Sequence, residues 1–300
     1  MRANRKEKSV SRQHTLEKKL YPTWFAAPGL IIYVIIFVIP TFASFYFSLT
    51  KWNLRTSEFI GFENFKTFFT MANTSSALKN TAIYAFATCG LKVVIALLLA
   101  QYLCNSRAKH TEYIKVMYYL PSLLGNVAVA MAFESVLDKN GILNQLLVNM
   151  GFEAIKFLTD SKFALITCIL IDVWKGIGTA LIIYISGISA IPKDYYDAAA
   201  IDGASPVKSF FKITIPLLVP TINSVLTLSL IGGLRTYDLM YTLTGGGPGF
   251  STELLGSAIY KLFSRGSYGL ATAGYVIMFI VVSVIVFPLN SWVAKREAEL

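Results

Sequence analysis

Three ionisable side chains lie inside otherwise apolar stretches of this chain: Lys92, Asp172 and Lys175. A charge in hydrocarbon costs about 2.5–3.5 kcal/mol on insertion scales, so it is retained where it pairs or lines a polar pathway. Asp172 and Lys175 are three residues apart on one helix face and could pair with each other. Such a pair either holds packing or lines a cavity. Lys92 reads as a buried partner for Asp172 or for Glu134. Two sets of small residues also recur at helical spacing: Ser122 with Asn126, just after Pro121, and Ser229 with Gly233 and Thr236. Residues of this kind either match the hydroxyls of a polar solute or let helices pack closely. No covalent or hydrolytic chemistry is legible beside them. His14 and His110 stand apart, and neither HExxH nor GxSxG occurs. There is no GxxxxGK[ST] phosphate loop, and Gly245-Gly246-Gly247-Pro248 lacks its lysine and reads as a turn. Cys89, Cys104 and Cys168 fall in apolar segments without a CxxC spacing, as small buried hydrophobes do.

The elements that carry these residues are membrane spans. With 55% hydrophobic and 15% charged residues and a mean hydropathy of +0.57, the composition excludes a disordered chain, a secreted disulfide scaffold and an ordinary cytosolic enzyme. A bilayer span needs about 20 apolar residues. Six apolar runs meet that need: Leu20–Thr50, Asn80–Ser106, Val116–Phe133, Phe163–Pro192, Ile213–Leu234 and Gly266–Ala294. They place spans near 24–50, 81–104, 115–135, 163–191, 214–238 and 268–293, flanked by a tail 1–19 and a C-terminus 295–300. The first run is too long for a signal-peptide core and lacks a small-residue cleavage site. The expected fold is an all-α polytopic membrane protein with six transmembrane helices. The net charge of +10 reads as topology and not as a nucleic-acid surface, because Arg2, Arg5, Lys6, Lys8, Arg12, Lys18 and Lys19 crowd before the first run. Both termini are then cytoplasmic, and the tail can rest on anionic lipid headgroups.

Between the fourth and fifth spans, residues 192–213 form a short cytoplasmic loop with an unusual pattern. Pro192 suits a first helical turn, and Tyr195 to Ile201 is rich in alanine, with good helix propensity and a surface that a partner can approach closely. Gly203 can take a left-handed helix end. Ser205-Pro206 reads as the cap and first residue of a second helix, and Pro216 and Pro220 bend or restart the chain. The bland reading is a cytosolic helical hairpin. The segment Asp197-Ala198-Ala199, Gly203, Ile213-Thr214-Ile215-Pro216 resembles the EAA loop of the membrane subunits of binding-protein-dependent ABC importers, with every spacing kept. Asp replaces Glu and Ile replaces Leu. Tyr241 to Pro248 is similar to the LT-x-GGP segment of maltose-type carbohydrate importers, Gly141-Ile142-Leu143-Asn144 to their G-x-x-N segment, and Leu120-Pro121 to their Leu-Pro. The GGP segment points to the first permease of the pair.

The resemblance implies the type I importer permease fold with a cytoplasmic EAA coupling helix, in a bacterial cell membrane. It implies a second permease subunit, two ATP-binding ATPase subunits and an extracytoplasmic solute-binding protein as partners, with no nucleic acid. No cofactor belongs to this chain; ATP and Mg sit on the ATPases. Tyr195, Asp197, Ala198, Ala199, Asp202 and Gly203 would contact the ATPase, Asp197 by pairing with a basic group. Ser122, Asn126, Asp172, Lys175, Gly176, Ser229, Gly233 and Thr236 would line the substrate pathway. The loops near 51–79 and 134–162 would help dock the binding protein. Neutral oligosaccharides are the default cargo, and a charge pair at the matching site leaves room for a uronate, a phosphorylated polyol or an aminosugar. The competing reading is an ion-coupled secondary transporter in which Asp172 carries the ion, although no inverted repeat supports it.

Overall fold

The computed structural model describes residues 23–105 and 111–297. The basic tail 1–19, His14 and His110, and residues 298–300 lie outside the described residues. Among the described residues four helices are long and apolar enough to cross a membrane, or up to six if each of two sharply bent helix pairs is one span. The protein is therefore multi-pass, and its described residues are all-α apart from one two-stranded ribbon.

Helix α1, Trp24–Ser48, contains a wide π turn at Val34–Val38. It lies just before Pro40, where the missing N–H and the ring's clash with the preceding turn disfavour regular α geometry. Its side chains from Trp24 to Phe42 are exposed apart from the half-buried Ala27, Val34 and Val38. Packing begins only near its end, where Phe45 meets Phe279 edge-on with centroids 6.1 Å apart. An antiparallel ribbon follows, β1 (Thr50–Trp52) against β2 (Ser57–Phe59), with Lys51 opposite Glu58. Helix α2, Glu63–Thr70, anchors the ribbon through the buried Asn64, whose amide donates to Ser48 O at 2.9 Å and Thr50 O at 2.8 Å.

The central pillar is α3, Thr74–Asn105, which is roughly 48 Å long at 1.5 Å per residue. Its start binds residues 250–255, and its end borders a groove with Pro206 and Phe211. Those two segments therefore mark opposite ends of the bundle. Helix α4, Thr111–Leu123, is followed by α5, Asn126–Leu137, and α6, Ile142–Asn149. The chain turns by 99° at the break after Leu123. The hydropathy run read as one span over 115–135 is thus broken in two. Gly125, at ψ 142°, leaves the helical region there, and Pro121 weakens the preceding turn.

Helix α7, Ala164–Ser189, packs along α3 and α4. A Cβ on Gly178 would stand 2.2 Å from Tyr118 O, so the glycine lets α4 approach that closely. Beyond it come α8, Asp194–Ile201, and α9, Pro206–Leu217. A second π turn, Phe210–Thr214, precedes Pro216 as the first precedes Pro40. Helix α10, Val219–Arg235, leaves α9 at 70°. The chain closes with α11, Asp238–Thr244, α12, Leu255–Ser264, and α13, Tyr268–Glu297. One core joins α3, α5, α7 and α11 around Tyr84, Val129, Cys168 and Met240. A second joins α3, α7 and α10 around Ala96, Ala100, Leu181 and Leu218. Alanines on α3 bring its neighbours close, as small residues do in membrane bundles.

Candidate functional site

Lys92, on α3, and Asp172, on α7, meet in the middle of the bundle. Nζ lies 2.8 Å from Oδ2, and the two side chains are only 10% and 14% exposed. An ammonium that bridges two spans this way exchanges two costly isolated charges for one pair. Gly176 makes room for it, since a Cβ there would stand 2.6 Å from Lys92 Cε. The same lysine borders a cavity of about 160 Å³ shared by α3, α7 and α10, whose mostly apolar wall includes Thr179 and Ser229 beside Gly176 and Gly232. Expected neighbours Gly176 and Ser229 are thereby brought together. The pairing of Asp172 with Lys175 does not form, because α3 supplies the nearer cation. Lys175 is half-buried and takes part in none of the three ion pairs among the described residues. Glu134, the other expected partner of Lys92, lies elsewhere, on the wall of a cleft described below.

Other expected pathway residues separate. Ser122 and Asn126 do not share a helix face, because the 99° bend falls between them; the Ser122 hydroxyl donates to Tyr119 O at 2.6 Å. The Asn126 amide donates to both carboxylate oxygens of Asp238, at 2.9 Å each, which ties α5 to α11. Asp238 carried no motif, and its only sequence signal was an acid just beyond an apolar run. Gly233 is buried against α3, where a Cβ would come within 2.8 Å of Ala85 Cα, so it serves packing in this conformation. Thr236 ends α10, its hydroxyl donating to Gly232 O at 3.0 Å.

At the end of the bundle where α3 begins, the GGP segment is a hydrogen-bonded turn. Gly245 and Gly246 have positive φ, +58° and +89°. The Thr244 and Thr252 hydroxyls are 2.7 Å apart, and Thr252 Oγ1 donates to Gly247 O at 2.7 Å. Beneath them, fully buried Glu253 pairs with Lys261 and accepts from Ser257 Oγ at 2.8 Å. A Cβ on Gly246 would lie 2.2 Å from Glu253 Oε2, so only glycine lets the turn close over that carboxylate. The turn faces residues 138–162 across a cleft of about 510 Å³ bordered by Glu134, Asp138, Lys139 and Lys156. Asn144 organises the far wall: its amide donates to Asp138 O and Ile155 O and its carbonyl accepts from Ile155 N, at 2.8–3.0 Å. Gly141 belongs with it, since a Cβ there would sit 2.6 Å from Ser135 O. The G-x-x-N spacing thus has a structural cause.

At the opposite end, α8 stands out from the bundle. Gly203, at φ +71°, closes it with two bonds: Gly203 N donates to Ala200 O at 3.1 Å, and Ala204 N to Ala199 O at 2.9 Å. This pairing is the Schellman helix end. Ser205 then caps α9, its Oγ accepting from Lys208 N at 3.3 Å. Tyr196 holds the base through a 2.9 Å bond with Thr214. Tyr195, Asp197, Ala198, Asp202 and Gly203 remain exposed and Ala199 half-buried, and Ile201 is 88% exposed. This short helix thus shows isoleucine, tyrosine and alanine to its surroundings. Among the described residues no group of three or more His, Cys, Asp or Glu could hold a metal ion.

Similarity to known proteins agrees with this geometry. The chain is 34% identical over 288 residues to the probable ABC transporter permease protein YesP of Bacillus subtilis, covering 92% of each chain. It is 29% identical to the multiple sugar-binding transport system permease protein MsmF of Streptococcus mutans, over 90% of this chain and 95% of that one. A bacterial ABC transporter involved in import of the acidic polysaccharide alginate has a chain that superposes with a TM-score of 0.80 at 25% identity, covering 97% of this chain and 99% of that one. Residues 92–299, from the Lys92 pair through α8 to the last helix, match the model of the binding-protein-dependent transport system inner membrane component, and the chain belongs to that family.

Proposed function

We propose that this chain is one half of the translocation pathway of an ATP-driven, binding-protein-dependent carbohydrate importer. The observation that carries the reading is α8, an exposed helix fixed to the bundle at its base and closed by Gly203 at φ +71°. Tyr195, Asp197, Ala198, Ala199, Asp202 and Gly203 form the contact with one of two ATPase subunits. Closure of the ATPases pushes the helix, and the base bond and the α9–α10 bend pass the displacement into the spans. ATP and Mg belong to those subunits, since this chain has no phosphate loop. The end bearing α8, both termini and the tail 1–19 is cytoplasmic. A second permease completes the pathway, and a solute-binding protein delivers the sugar at the end bearing the GGP turn. Carbohydrate as the cargo is supported by relatives named for multiple sugars and for trehalose and maltose. It is supported too by a neighbour solved with an alginate pentasaccharide-bound periplasmic protein. Lys92, Asp172, Gly176 and Ser229 lie on the sugar's route, with Lys175 beside them. Ser122, Asn126, Gly233 and Thr236 join that route when the helices rearrange. Family membership sets aside the ion-coupled transporter. The test is a cysteine at Ala198 in the assembled importer: it should cross-link to an ATPase subunit, with a yield that changes when ATP binds. No cross-link from any exposed position of α8, in a complex that still transports, would refute the coupling role.

A further inference from the structure

We propose that the transported saccharide carries a carboxylate, received in the bundle by Lys92 and Lys175, and that Tyr84 takes over Asp172 when Lys92 turns to the cargo. The proposal rests on the carbohydrate-permease reading. Two independent observations point to an anionic ligand. Lys175 is an ammonium on a membrane-spanning helix, one turn from Asp172, and it is in no ion pair among the described residues. A cation left uncompensated at that depth marks a ligand pathway more often than packing. Tyr84 is the second. It is fully buried, shares a core with Cys168, Ile169 and Val173 on the turns that flank Asp172, and its hydroxyl lies beside Asp172 without a fully formed hydrogen bond. A buried hydroxyl short of a full hydrogen bond is costly in a resting structure. It becomes useful if the neighbouring carboxylate loses its present partner.

The geometry permits that exchange. Tyr84, Thr88 and Lys92 are spaced four apart on one face of α3. Asp172 engages Lys92 through Oδ2, which leaves its other oxygen to accept from the Tyr84 phenol beside it. The Lys92 tip passes over Gly176 at the edge of the α3–α7–α10 cavity, where a short swing delivers the ammonium to a sugar carboxylate. Lys175, beside Gly176, offers the second cation. Asp238, the other acid near Tyr84, is already bound by Asn126, so it does not compete for Lys92.

The experiment uses the complete importer in cells with its own binding protein. The probes are labelled uronate di- and trisaccharides and the same glycans with the carboxyl groups reduced to alcohols. Wild type should take up the uronates at least about tenfold faster than the reduced forms. Lys92→Met/Asp172→Asn removes both members of the pair and leaves no abandoned charge. It should cut uronate uptake about tenfold or more, the scale of one lost charged contact, while Lys92→Arg keeps it within about twofold. Lys175→Met should raise the apparent KM for uronates, and Tyr84→Phe should slow their uptake, both at unchanged insertion. Uptake of the reduced glycans in preference to uronates, or uronate uptake indifferent to the double substitution, overturns the proposal and leaves the permease reading standing. Uptake that needs no ATP would overturn the permease reading instead.

Discussion

The ion pair between Lys92 and Asp172 makes a quantitative test of how this bundle holds its charges. Lys92→Met strands a carboxylate that is 14% exposed, and Asp172→Asn strands an ammonium that is 10% exposed. Breaking a buried pair by removing one partner costs about 3–5 kcal/mol. The lower end, about 3 kcal/mol, is expected here because both side chains keep some exposure. Replacing both members by neutral side chains of similar volume is close to neutral, so the double variant should lie within about 1 kcal/mol of wild type and the coupling should reach about 5 kcal/mol. At about 2 °C per kcal/mol for a chain of this size, each single substitution lowers the apparent unfolding temperature by about 6 °C. The double substitution lowers it by about 2 °C or less. Thermal unfolding of the purified importer in lipid nanodiscs, followed by tryptophan fluorescence, measures all three. Single substitutions that shift the midpoint by less than about 1 °C, or a double variant as damaged as the sum of the singles, would refute the account of the pair.

Other expectations follow from single glycines. Gly176→Ala pushes a methyl to within 2.6 Å of Lys92 Cε; the tip of a flexible side chain can yield, so the fold should insert normally while uronate uptake falls as it does in Lys92→Met/Asp172→Asn. Gly203→Pro cannot adopt φ +71° and removes the N–H that bonds Ala200 O; the spans should insert, but ATP hydrolysis should no longer drive uptake, and surviving uptake would contradict the lever. Gly246→Ala meets both a φ of +89° and a carboxylate oxygen 2.2 Å away. It should cost at least about 2 kcal/mol in the nanodisc assay, and stimulation of ATP hydrolysis by the binding protein should fall with it.

The α8 loop was legible because its signals are local. An alanine run, a glycine at the helix end and a Ser-Pro cap each act within a few residues and hold their expected places, whereas Pro192 stands just before the Lys193 cap and not in the first helical turn. The charges were half legible. That Lys92 and Asp172 need partners follows from hydropathy, but which partner depends on how α3 crosses α7, across 80 residues of sequence. The i, i+3 spacing of Asp172 and Lys175 was local and misled, because the cation arriving from α3 fits the slot over Gly176. The third hydropathy run hid a 99° bend, since hydropathy measures the length of an apolar run and not its direction; Pro121 and Gly125 were the only hints. Asp238, at the start of α11, and Glu253, in a loop, went unseen because each is a single acid, given meaning by Asn126 and by the Gly246 turn that tertiary structure brings to it.

The central claim, that this permease moves saccharide by coupling to ATP through α8, is tested most directly in proteoliposomes. They would hold the full importer with its binding protein outside and ATP sealed inside. Labelled saccharide should accumulate only when both ATP and the binding protein are present, should continue when ionophores collapse every ion gradient, and should stop in Gly203→Pro. Accumulation driven by an imposed ion gradient without ATP would contradict the account.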